Sequence, residues 1–200
     1  MNASEWTCSW YLRLNGYFVA PNFIVHGRPS ARTDVDVLAV RFPYSEESNF
    51  KDDSELRLSH DRIDVVLAEA KSGPISSLNG PWSRPQKGAL DYVLKRVGIA
   101  PKDDVSRLAN DLYKHRSTTA EGFRVRILAF AESISDQLRD EGVIFIGWNQ
   151  VLKFIHRRFR DNDQLKRDHV VWDKFGQYLW MQLSEGSVPP SRDFFSNWKD

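Results

Sequence analysis

Apolar residues recur at helical spacing over residues 3–15, where Trp6, Trp10, Tyr11 and Leu14 fall on one face. Ser4 ahead of them predicts an N-cap, and Asn15-Gly16 behind them a stop. "YFVAPNFIV" (17–25) reads as a strand bent at Pro21, and "TDVDVLAVRF" (33–42) as a second strand that Pro43 ends. Residues 43–61 have no apolar period until "LRL", which predicts an exposed excursion before a third strand, "IDVVLAEAKSG" (63–73). After the turn-rich "SGPISSLNGPWSRP", Ala89, Leu90, Tyr92, Val93 and Val97 mark a helix over 85–97. A second helix over 102–116 has acids in its first turn and bases in its last, as the helix dipole favours. "FRVRILAFA" (123–131) and "VIFIGW" (143–148) predict two buried strands with a short helix between them. From Asn149 the period is helical again, with Val151, Leu152, Ile155 and Phe159 on one face, and aromatic-rich helix is expected through "VVWDKFGQYLWMQL". The tail is expected to lie against the domain through Phe194, Phe195 and Trp198. This order predicts an α/β domain, a mixed β-sheet flanked by helices on both faces. Its core spans 1–148, and a C-terminal helical extension, 149–200, packs on it to make one compact unit.

The end of the third strand departs from a buried pattern. Glu69 and Lys71 stand two positions apart and share a face, while Ala70 points the other way. On the preceding strand Asp34 and Asp36 share one face, and Val35, Val37 and Ala39 the opposite one. Pairing the two strands would bring a carboxylate from each into one small volume with a lysine. Two such carboxylates repel unless a cation lies between them. Hard oxygen ligands with open positions suit Mg²⁺, and the Ala70 backbone carbonyl would add a ligand. Lys71 would orient or deprotonate a water, or stabilise charge developing on phosphorus. An E-x-K triplet taken alone reads as a surface ion pair of little energetic weight. Here it ends an apolar strand, runs into Ser72-Gly73 and follows a strand carrying D-x-D, which favours a site.

Asp36 followed by Glu69-Ala70-Lys71 on the next strand resembles the D…(D/E)-x-K signature of the PD-(D/E)XK nuclease superfamily. The resemblance is nearest to Mrr-like enzymes and Holliday-junction resolvases, whose G-Y-x-V … E-x-D stretch is similar to "GYFVAPNFIVHGRPSARTDVDVLAV". It covers about the first 75 residues and the order of elements to residue 148. Val35 stands where the proline before the catalytic aspartate is usual, and the excursion at 43–61 is unusual for the family. The resemblance implies a restriction-endonuclease-like core and metal-dependent phosphodiester hydrolysis. It also implies Asp36 and Glu69 as metal ligands, Lys71 assisting the water, and Glu5, on the helix before Gly16-Tyr17, as a further ligand or the holder of a metal-bound water. Gln86 would match a glutamine found after E-x-K in such nucleases. Dimerisation is a further expectation by resemblance.

Composition changes this picture little. Net charge is +1, but acids dominate from Ser45 to Asp64 and bases from Lys153 to His169; each stretch reads first as solvated surface. "HRRFR" (156–160) is the strongest phosphate-contact candidate, with Arg157, Arg158 and Arg160 expected largely opposite the Val151/Ile155 face and Phe159 turned inward. Arg28, Arg32 and Lys87 lie closer to the candidate site in sequence and are equal candidates for nucleic-acid contact. Trp148, Trp172, Tyr178 and Trp180 suit base stacking, although a helical run favours core positions. The histidines, His26, His60, His115, His156 and His169, lack metal-ligand spacing, and no glycine-rich phosphate cradle occurs. The single cysteine, Cys8, suits packing in a reducing cytoplasm. The N-terminus lacks the pattern of a secretory signal, and no apolar run approaches a membrane span. The expected function is a nuclease acting on nucleic acid, DNA first, in restriction, repair or anti-phage defence. The alternatives are a nuclease-fold scaffold subunit in a larger assembly and an RNA-cutting toxin.

Overall fold

The structure is a computed structural model of the 200-residue chain. It describes residues 1–28, 31–47, 50–79, 82, 85, 88–161, 173–184 and 186–198, with the backbone alone at 26–28 and 31–33. In chain order come α1 (Ala3–Arg13), β1 (Phe18–Arg28), β2 (Ala31–Arg41), β3 (Ile63–Ala70), α2 (Ala89–Val97) and α3 (Lys102–His115). They are followed by β4 (Ser117–Ala120), β5 (Phe123–Ala131), α4 (Asp136–Asp140), β6 (Ile144–Gly147), α5 (Trp148–Arg160), α6 (Lys174–Leu183) and α7 (Ser191–Ser196). Strand β4 had no signal in the hydrophobic pattern; "STTA" joins the sheet by pairing with Phe123–Arg126. The first helix is capped by Asn2 and not by Ser4.

The strands form one mixed sheet in the order β1-β2-β3-β5, with β4 and β6 both on the far edge of β5. Strands β1, β2 and β3 run antiparallel; β3, β5 and β6 run parallel. The near-continuous apolar character of β3 and β5 follows from burial on both faces. Along β3, Val66 and Ala68 enter one apolar layer, shared with α1, α5 and α6, and Val65 and Leu67 enter the other, shared with α2 and α3. Among the described residues no helix is long and apolar enough to cross a membrane.

Helices α1 and α6 approach closely because Gly176 has no side chain. A Cβ there would lie 2.2 Å from Trp10 Cζ2, and the ring is tethered by Trp10 Nε1 donating to Asp173 at 3.2 Å. Gly176→Ala is therefore expected to lower stability by about 1–2 kcal/mol, overpacking outweighing the better helix propensity of alanine. A urea-unfolding midpoint at or above that of the parent protein would contradict this contact.

The excursion at 43–61 is exposed over much of its described length, as expected, but it is pinned to the core at Asp53 and Leu56. Asp53 is buried and accepts from Tyr11 Oη at 2.9 Å and Gln150 Nε2 at 3.0 Å. Arg41, also buried, donates to the carbonyls of Asn15 and Ser45 and to the Asp52 carboxylate. Arg126 Nη1 donates to the Leu56 carbonyl at 2.7 Å, and both Arg124 and Arg126 pair with fully buried Asp64. Tyr17 Oη adds a 2.7 Å bond to the same carboxylate. Backbone and carboxylate acceptors thus pair with arginines from the strands, and Asp53 and Leu56 tie the segment to the core.

Candidate active site

The β2–β3 ladder ends at Val37↔Ala68, while the β1–β2 hairpin continues to Arg28↔Ala31. Asp36 sits where β2 parts from β3. Ala70 has lost its ladder partner there, and its N–H donates instead to Asp36 Oδ2 at 2.9 Å. The N–H and C=O of one strand residue point the same way, so the Ala70 carbonyl also faces this gap, with Ser4 Oγ 3.5 Å away. The next residue turns its N–H to β5, donating to the Phe130 carbonyl at 2.9 Å. Opposite Asp36, between the Pro21↔Val37 and Phe23↔Val35 pairs, Asn22 of β1 has a positive φ of 50°. This corrects the simple alternation expected for β2: Val37 and Ala39 pack in the α1 layer, but Val35 packs in the α2 layer.

Asp36, Glu69 and Lys71 meet at this point. Lys71 Nζ is 3.9 Å from Asp36 Oδ2 and 3.8 Å from Glu69 Oε1. Glu69 is only 1% exposed, and its two carboxylate oxygens accept the Asn79 backbone N–H at 3.2 and 2.9 Å. The Asn79 amide lies between the charged groups. With its nitrogen toward Glu69 it donates to Oε1 at 3.2 Å, and its oxygen accepts from Lys71 Nζ at 3.3 Å. Asn79 was not legible as a site residue; "LNG" read only as turn chemistry, and no spacing rule links it to Glu69. The Lys71 carbonyl is held by Trp148 Nε1 at 2.7 Å, so the first residue of α5 fixes the backbone of this strand end.

Burial is the first cause of unusual protonation here. It pushes Glu69 up to about 7, with Asp36 adding repulsion and the Asn79 N–H and Lys71 opposing. Asp36 is raised for the same reason, against the Ala70 N–H and Lys71. Glu5 is raised too, chiefly by burial and partly by Asp36, which sets it in the field of this site. Both Glu5 oxygens nevertheless turn to Asn2, accepting its backbone N–H at 3.1 Å and side-chain amide at 2.8 Å in a capping box. Among the described residues no three His, Cys, Asp or Glu side chains are grouped to hold a metal ion. Glu5 therefore does not join Asp36 and Glu69 in a common cluster.

The basic candidates are dispersed. Arg158 is not on the open face of α5: it is buried, donates to the Leu14 carbonyl at 2.5 Å and pairs with Glu47 at 3.1 Å. Its position is explained by the helix facing the docked excursion, whose Phe50 ring lies 4.5 Å from the guanidinium. Arg157 and Arg160 are exposed, and Phe159 is buried as expected. These arginines lie ~14 Å or more down the helix axis from Trp148, far from Lys71. In the β1–β2 register the backbone of Arg28 pairs with Ala31 and that of Arg32 with His26, and Gln86, Lys87 and Trp172 lie outside the described residues. Trp148 is fully buried against Phe130, and is core rather than a stacking platform.

No protein-family model matches the chain, and no curated protein and no solved structure is significantly similar to it.

Proposed function

We propose that this chain is a divalent-metal-dependent nuclease with a PD-(D/E)XK-type core, hydrolysing phosphodiester bonds in nucleic acid, DNA above all. The observation that carries the reading is the gathering of Asp36 and Glu69, from two parting strands, within 3.9 Å of one lysine ammonium. The element order supports it: a helix, three antiparallel strands, then helices and a parallel strand.

The donor set fits a hard cation. Asp36 Oδ1 accepts no hydrogen bond among the described residues, the Ala70 carbonyl faces the same gap, and Glu69 is a carboxylate whose burial raises its pKa to about 7. Asp36, Glu69 and the Ala70 carbonyl would hold Mg²⁺ or Mn²⁺, the cation supplying an activated water and neutralising a departing oxygen. Lys71 would orient the water or take its proton, and stabilise charge on the phosphoryl oxygens. Asn79 would keep Glu69 and Lys71 in register. Glu5 would act through the field it shares with Asp36. Arg157, Arg160, Arg28, Arg32 and Lys87 remain proposed phosphate contacts, and the setting proposed is the reducing cytoplasm, in restriction, repair or defence.

A second reading has one observation in its favour. Glu5 is committed to its cap and Lys71 already serves as counterion to both carboxylates, an arrangement that also suits a nuclease-fold scaffold working within an assembly. Incubation with plasmid, linear duplex, single-stranded DNA and RNA, each with Mg²⁺, Mn²⁺ or EDTA, separates the two. Metal-dependent cleavage is expected for the nuclease; intact substrates throughout, with no calorimetric Mn²⁺ binding, would favour the scaffold.

A further inference from the structure

At the turn that follows Lys71 in the chain the surface opens into a cleft of about 550 Å³. Ser72 and Gly73 line it from the turn after β3, Glu132 from the turn after β5, and Arg192, Phe195 and Ser196 from α7. Its size is within the range of small-molecule and cofactor pockets. Its floor is built and rigid, because the two turns are stitched together: Glu132 N–H donates to Gly73 O at 3.1 Å, Ile75 N–H to Ser133 O at 2.9 Å and Ser135 N–H to Ile75 O at 3.0 Å. The cleft stands outside the carboxyl ends of the parallel strands β3 and β5, where α/β sheets place their ligands.

Helix α7 is tied to the candidate active site through aromatic rings. Phe195 meets Trp148 edge-on at a centroid distance of 4.9 Å, and Trp148 holds the Lys71 carbonyl. Arg192 and Phe195 are three residues apart and share a helix face. Arg192 is exposed and has no ion pair or hydrogen bond among the described residues; Phe195 is half-buried. An uncommitted guanidinium beside a partly open aromatic ring is the combination that holds an unpaired nucleotide, the cation on its phosphate and the ring against its base.

We propose that this cleft seats a nucleotide adjacent to the scissile phosphate, with its phosphate on Arg192 and its base against Phe195. The inference rests on the nuclease reading for the word scissile, and narrows its substrate to single-stranded nucleic acid or an unpaired end or junction. A base stacked inside an intact duplex does not reach Phe195. Ser72 and Glu132, across the cleft, offer polar groups to the base edge.

The test measures fluorescence anisotropy of the full chain with short single-stranded DNA, single-stranded RNA and duplex probes, in EDTA so that nothing is cleaved. The expected result is tighter binding of a single-stranded probe than of duplex, the DNA and RNA arms showing which sugar is preferred. Arg192→Ala should weaken single-strand binding about fivefold and reduce the slope of log affinity against log salt by about 0.7. Phe195→Leu, which keeps the packing on Trp148, should weaken single-strand binding about tenfold and leave duplex binding unchanged. Binding and salt slope unaltered in both variants, equal losses on duplex, or a parent protein that binds neither single strand would each overturn the proposal. Single-strand binding through Arg192 without any metal-dependent cleavage would overturn the nuclease reading alone. Cleavage with unaltered binding in Arg192→Ala would overturn the cleft alone.

Discussion

Lys71→Ala and Asp36→Asn are each expected to lower Mg²⁺-dependent cleavage by about 10³-fold while the fold is kept. The two variants separate catalysis from packing for different reasons. The Lys71 side chain is 41% exposed and its ammonium stands 3.8–3.9 Å from its carboxylate partners, beyond hydrogen-bond distance. Burial already pushes the Glu69 carboxyl to about 7, so it can take up a proton when the ammonium is removed, and the fold is kept. Asparagine at position 36 preserves shape and can still accept the Ala70 N–H, yet lacks the charge a divalent cation needs. Cleavage is read from initial rates on the substrate found active, and folding from circular dichroism and the thermal midpoint. Undiminished rates in both variants would remove the catalytic assignment; lost rates with an unfolded protein would be excluded by the second measurement. Lys71→Arg is informative beside them, since a guanidinium keeps the charge but neither the point-like geometry nor any capacity to take a proton from water.

Much of this site could be read from the chain because period-two alternation is a local property. Glu69-x-Lys71 at the end of an apolar run, after a strand carrying Asp36, suffices to bring three charged groups to one strand end. What alternation does not carry is the point at which two strands part. The change of layer between Val37 and Val35 falls at Asp36, opposite the positive-φ Asn22 of β1, and neither position shows it in the hydrophobic pattern. The same limit applies to charge. Arg41, Arg124, Arg126 and Arg158 look like surface residues because unpaired arginines avoid the interior, but each donates to carbonyls or carboxylates of residues 14–64. "IDVV" and "FRVR" carry the signal in the form of charges placed inside apolar strands, but the partners lie 60 or more residues away. Asn2-x-x-Glu5 is itself a capping signature, so the local meaning of Glu5 was present in the sequence alongside its implied metal role. Asn79 and Arg192 had no local signal, since what matters about them is only where the turn and the last helix come to rest.

At pH 8 without metal, Glu69→Gln is expected to stabilise the protein by up to about 3 kcal/mol, and at pH 4 to change it little. Glu69 is buried, and its carboxyl is pushed from 4.5 to about 7. A carboxyl raised in this way binds its proton more tightly in the folded than in the unfolded chain. Folding therefore takes up a proton between about pH 4.5 and 7, and stability falls as pH rises through that window. Below it both states are protonated and the group costs nothing; above it the full penalty of a buried carboxylate applies, at about 1.4 kcal/mol for each pH unit of displacement. Glutamine keeps the oxygen that accepts the Asn79 N–H and never ionises, so it escapes the penalty. Divalent metal should act in the opposite sense on the parent protein: an ion bound by the folded state alone raises the thermal midpoint as its concentration rises, and the variant should lose that response. Urea unfolding at pH 4, 6 and 8, with and without Mg²⁺ or Mn²⁺, reads both effects. A variant less stable at pH 8 and pH 4 alike would make Glu69 a structural acceptor for Asn79, and the proposed metal site would lose its second carboxylate. A variant stabilised only at high pH, and deaf to metal, would mean that the strand end holds a charge against its own folding because a cation is the intended partner.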